Sequence, residues 1–111
     1  MDKDSRYNQI KSELAQLFKD APPEQLQQAN RLMERVAFMQ VTLEDLEEDI
    51  KQHGTFEWTK TRPRKQRERP AVKTYNAMLK NYNSTLKQLL DMLPGQRAEE
   101  SEDELLAFLR K

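Results

Sequence analysis

The chain has 111 residues, 34% of them charged, with 19 basic and 19 acidic side chains that cancel, no cysteine and two glycines. That length holds it to one domain, and zero net charge gives no general attraction to nucleic acid or to a membrane surface. A chain without cysteine has no disulfide frame, thiolate zinc site or cysteine nucleophile, and two glycines cannot build a phosphate-cradling loop. No run is long enough to span a bilayer and the first residues lack the apolar core of a signal peptide, so a cytosolic location is expected.

Asp4 or Ser5 is placed to cap a first helix, which carries Ile10, Leu14, Leu17 and Phe18 on one face and ends near Asp20. Ala21-Pro22-Pro23-Glu24 is both a hinge and a helix start: proline is tolerated at the first helical position, and a carboxylate there faces the positive end of the helix dipole. A second, long helix is expected over residues 23–52. Along it Ala29, Val36, Leu43 and Ile50 recur every seven residues, with Leu32, Met39 and Leu46 recurring every seven between them. A third helix is expected over residues 70–93. Val72, Tyr75, Leu79, Tyr82, Leu86, Leu89 and Leu93 fall at alternating steps of three and four, opened by Pro70 and closed by Pro94-Gly95.

Two such helices separated by about seventeen residues fold back most simply as an antiparallel pair. The expected fold class is therefore all-α: two long antiparallel heptad-patterned helices with a short N-terminal and a short C-terminal helix. Val36, Leu43, Leu46, Ile50 and the seven seam residues of the third helix are its core or oligomerisation contacts. The apolar stripe is wider than one hairpin can cover, with Leu26, Met33 and Leu90 on one flank and Met78 and Met92 on the other. Burying a large apolar side chain contributes about 1.5 to 3 kcal/mol, so leaving several half exposed would forfeit much of a marginal stability. A homo-oligomer is expected, with a monomeric three-helix bundle as the alternative.

Between the long helices lies the most basic and least regular piece. Gly54 ends the second helix, Thr55 to Thr61 has the composition of a short extended segment or hairpin arm, and Lys60 to Arg69 holds six basic residues and one acidic one. Arginines interleaved with Phe56 and Trp58 suit phosphate contacts combined with stacking or groove insertion, with Pro63 keeping the backbone extended so that the charges fan out. Two alternatives stand beside this: the arginines pair with Glu44, Asp45, Glu47, Glu48 and Asp49 near the end of the second helix, and the aromatics close the end of the bundle as core.

Enzymatic chemistry is poorly supported. His53, the only histidine, adjoins a helix-ending glycine and is better placed to cap carbonyls than to act as a base, and no serine lies in a nucleophile elbow. The acidic run on the second helix reads as a solvated face rather than a magnesium site, and no cofactor or metal is expected. Residues 1–95 form the helical-hairpin domain. Residues 96–111 are an acidic linker and a short last helix in which Ser101 and Glu104 make a capping box ahead of Leu105, Leu106, Phe108 and Leu109. That helix is too short to be stable alone; it docks on a partner or folds back onto its own bundle.

The order of parts, a long helix ending in Gly54, a polar connection, then Arg69-Pro70-Ala71 opening a helix through Tyr75-Asn76, Leu79 and Leu86 to Leu89-Leu90-Asp91-Met92-Leu93-Pro94, resembles the small terminase subunits of tailed bacteriophages over residues 26–97. The resemblance implies a non-enzymatic packaging component in the cytoplasm of an infected bacterial host. Such a component assembles into a ring, recognises double-stranded viral DNA and delivers it to the large terminase subunit. On this reading Lys60, Arg62, Arg64, Lys65, Arg67 and Arg69 contact DNA, with Lys3, Arg6 and Lys11 as a secondary site. Leu105, Leu106, Phe108 and Leu109 contact the large subunit. The competing class is a helical adaptor or scaffold that binds only protein.

Overall fold

A computed structural model describes residues 2–93. It is all-α apart from one small hairpin, in the order α1 (Lys3–Leu17), α2 (Pro23–His53), β1 (Phe56–Trp58), β2 (Gln66–Glu68) and α3 (Pro70–Asp91). The docking helix expected within residues 96–111, with Leu105, Leu106, Phe108 and Leu109, lies outside the described residues.

The cap of α1 falls earlier than Asp4 or Ser5. Asp2 is extended and its Oδ1 accepts the Ser5 N–H at 2.7 Å, so the helix begins at Lys3. Accepting that bond holds the Asp2 carboxyl below its usual pKa, because the bond favours the charged form. The chain turns after Phe18, and Pro23 occupies the first position of α2, which then runs for 31 residues, about 46 Å at 1.5 Å per residue. Gly54 stops it: its N–H bonds the Ile50 carbonyl at 2.7 Å while its φ of +77° takes the backbone where a side chain is strained. Pro70 opens α3 in the same way that Pro23 opens α2.

α2 is the common partner, packed on one side by α3 and on another by α1. Both neighbours run antiparallel to it. Tyr75 meets Glu47, Tyr82 meets Gln40, and the Gln25 side chain donates to the Met92 carbonyl, which fixes the α3 register. Arg6 meets Glu44 and Asp45, and Lys11 meets Glu34, which fixes that of α1. The heptad seam supplies the centre of the core: Ala29, Val36, Leu43, Tyr82, Leu89 and Leu93 are buried, with Tyr75, Leu79 and Leu86 packed against them, whereas Leu46, Ile50 and Val72, expected on the same seam, are only half-buried and lie outside this core. Ile10, Leu14 and Phe18 of α1 complete it, so the first helix covers one flank of the hairpin. Met33 and Ala37 of α2 are buried with them. Among the described residues no helix is long and apolar enough to cross a membrane.

Candidate nucleic-acid interface

The connection between α2 and α3 is an antiparallel hairpin, with Phe56 paired to Glu68, Glu57 to Arg67 and Trp58 to Gln66. Two further backbone bonds extend the ladder at both ends: Thr59 N–H to the Lys65 carbonyl and Arg69 N–H to the Thr55 carbonyl, each at 2.8 Å. The second strand carries no aromatic or β-branched residue, so nothing in its composition announces it. It forms because β1 presents an unpaired edge, and because Arg67 Nε donates to Glu57 Oε2 at 2.6 Å across the pair.

Side chains alternate across a strand, so the two faces of the hairpin differ. Glu57 and Arg67 occupy one face as a closed ion pair. Phe56 and Trp58 share the other and remain 56% and 63% exposed, which rules out a role as core at the end of the bundle. The tip is a compact loop. Thr59 closes it, accepting the Lys65 N–H at 2.9 Å through its hydroxyl oxygen and donating to the Thr61 carbonyl at 3.3 Å. Residues 61–63 bend rather than extend, so Pro63 does not fan the charges along a straight segment. Lys60, Arg62, Arg64 and Lys65 are instead gathered around the closed tip, all exposed and none in an ion pair among the described residues.

The remaining two cations of the run have other work. Arg67 is held by Glu57. Arg69 is turned back into the root of the arm, its guanidinium donating to Asp49 Oδ2 at 2.7 Å and to the Gly54 carbonyl at 2.8 Å, with a side chain only 15% exposed. A planar fork that spans a carboxylate and a helix-terminal carbonyl ties the arm to the end of α2. Of the arginines of the basic run, Arg69 makes the alternative pairing with the acidic end of α2. Arg6 of α1, from outside that run, also pairs there, and its pKa is pushed up by Asp45 and Glu44. Of the secondary basic site, Arg6 and Lys11 are engaged with α2 carboxylates, and Lys3 is exposed.

The acidic run itself is distributed among partners. Glu44 and Asp45 take Arg6, Glu47 accepts the Tyr75 hydroxyl at 2.9 Å, Glu48 accepts from Gln52, and Asp49 takes Arg69 with His53 3.9 Å away. No group of three or more His, Asp or Glu among the described residues is arranged to hold a metal ion.

A second feature lies on the flank of the α2–α3 pair. Glu34, Arg35, Phe38, Met39, Met78 and Thr85 line an open groove of about 420 Å³ with almost wholly apolar walls. Met78 marks this flank in the sequence, but Phe38 sits off the heptad stripe, and its position off the stripe was the available signal. It is 53% exposed.

Comparison with protein-family models, curated proteins and solved structures finds no match to this chain.

Proposed function

We propose that the chain is a non-catalytic DNA-binding subunit of a phage packaging machine, a terminase small subunit, and that the hairpin arm is its DNA contact. The observation that carries this is the arm's tip: four exposed cations without an ion pair among the described residues, on one closed loop, with two exposed aromatic rings on the adjacent strand face. Solvent-exposed cations gathered without counter-charge suit a polyanion, and flat apolar rings beside them suit insertion against base edges or stacked bases. Within this reading the working subunit is a homo-oligomeric ring in the cytoplasm of an infected host. Its partner is the large terminase subunit, met through Leu105, Leu106, Phe108 and Leu109.

Binding to a fluorescent duplex, followed by anisotropy as salt is raised, tests it. Four phosphate contacts give a slope of about −3.6 in log K against log salt, so affinity falls roughly 150-fold between 50 and 200 mM salt. Replacing Lys60, Arg62, Arg64 and Lys65 by alanine flattens that slope and leaves the helical fold intact, because none of the four packs against the bundle. Light scattering on the same samples reports assembly. If the fourfold variant keeps its duplex affinity but loses its oligomeric state, the cations pair subunits and the chain is a protein-binding adaptor.

A further inference from the structure

The groove between α2 and α3 has walls made for an apolar occupant, and no described residue of α1 lines it, although Lys11 of α1 pairs with Glu34 at its edge. Its rim is cationic. Glu34 is paired with Lys11 of α1, which leaves Arg35 on the groove and Arg31 one turn earlier on α2, both exposed and neither in an ion pair among the described residues. An apolar cleft with an arginine rim calls for a short helix that is apolar on one face and acidic around it.

The chain carries such a segment. Leu105, Leu106, Phe108 and Leu109 have the i, i+1, i+3, i+4 spacing that shares one helical face, and Glu99, Glu100, Glu102, Asp103 and Glu104 precede them. The described chain ends at Leu93, at the end of the bundle where Gln25 meets Met92. From there the groove begins about 10 to 20 Å along the bundle, at one to two heptads of helical rise. Residues 94–104 extend to about 36 Å, ample to reach it. A tether of that length also holds the segment at millimolar effective concentration, enough for a helix too short to persist alone. We infer that the α2–α3 groove is the docking site of the chain's own C-terminal segment, residues 101–110, with Phe108 and its leucine neighbours against Phe38, Met39 and Met78 and the acidic run against Arg31 and Arg35.

This docking is independent of the DNA contact at the far end of the bundle. It has one bearing on the proposed packaging role: a partner that takes Leu105, Leu106, Phe108 and Leu109 displaces them from the groove.

The methionines provide the readout in the full-length protein. Met39 and Met78 line the groove, while Met33 is buried elsewhere in the core. In methyl-labelled protein, Leu106→Ser with Phe108→Ser shifts the Met39 and Met78 methyl resonances and leaves Met33 in place, and Arg35→Glu shifts the same two in the same direction. Unmoved Met39 and Met78 resonances overturn the inference. Labelled wild-type chain assembled with a tenfold excess of the unlabelled double variant separates the occupants. A segment docked on its own chain keeps the wild-type resonances, whereas a switch to the variant positions means that a neighbour's segment fills the groove and overturns the assignment. Resonances that move on dilution of the wild type alone, unaffected by the tail substitutions, identify a second copy seated there and also overturn it.

Discussion

Replacing Arg69 by alanine separates two roles that a basic residue in this arm can have. The guanidinium makes two charge-assisted bonds, to Asp49 and to the Gly54 carbonyl, from a position mostly shielded from water. Such bonds contribute about 1.5 to 3 kcal/mol each at their strongest. Asp49 is 37% exposed and recovers water when its partner goes, so the expected loss is about 2 kcal/mol in all. For a domain of this size that lowers Tm by roughly 8 to 16 °C. Urea denaturation followed by circular dichroism gives the value directly, and a double-mutant cycle with Asp49→Ala returns a coupling of about 1 to 2 kcal/mol. Arg69→Lys restores less than half of the loss, because a single ammonium cannot span both acceptors. On the proposed DNA contact, affinity extrapolated to a common salt falls, since the arm is less firmly oriented, but the salt slope that the tip cations would set is unchanged. A stability change under 0.5 kcal/mol together with a slope shallower by about 0.9 refutes the argument and returns Arg69 to the phosphate contacts.

Two further outcomes test the scaffold. Tyr82 is buried with its hydroxyl 3.2 Å from Gln40 Oε1; desolvation, followed by the nearby Glu44 and Glu47 carboxylates, raises its pKa, and burial with the Glu47 bond raises that of Tyr75. The neutral phenol is the form that the fold favours, so this contribution is whole below the unfolded value of about 10 and is lost as pH rises from there toward the folded value. Tyr82→Phe therefore costs about 1 to 2 kcal/mol at neutral pH, by leaving Gln40 short of a partner, and gives a flatter alkaline limb in a pH series of urea midpoints. Gly54→Ala meets no atom within 4 Å, so any cost comes from the backbone conformation alone, about 1 to 3 kcal/mol; a change near zero in the same denaturation assay contradicts the strain argument.

The helices were legible because their information is periodic and local. Seven-residue recurrence on α2 and α3 marks the faces that meet, and the prolines and Gly54 mark the ends to within a residue or two. The hairpin was half legible: Phe56 and Trp58 have strand composition, whereas Gln66-Arg67-Glu68 becomes a strand only through the edge it is offered. The division of labour among the six cations could not be read at all. Arg62 and Arg69 look alike in a basic run, and what separates them is that the hairpin reversal at residues 59–65 carries Arg69 back beside Gly54 and Asp49, a contact across 20 residues of chain. Phe38 shows the opposite limit, an aromatic residue off the stripe whose exposure follows from geometry between helices.

The polar bonds along the α2–α3 seam settle an ambiguity that heptads create. A seven-residue repeat matches itself equally well after a slip of one repeat, about 10 Å along the axis. In the observed alignment Tyr75 faces Glu47 and Tyr82 faces Gln40. Slipped one way, the Tyr82 hydroxyl would lie opposite Met33 with nothing to accept its proton; slipped the other, Tyr75 would pass the end of α2 at Gly54. Two hydroxyls thus act as keys in a lock that the leucines alone would leave free to slide. The arm, whose strands continue directly from α2 and into α3, therefore inherits a single bearing relative to that helix pair.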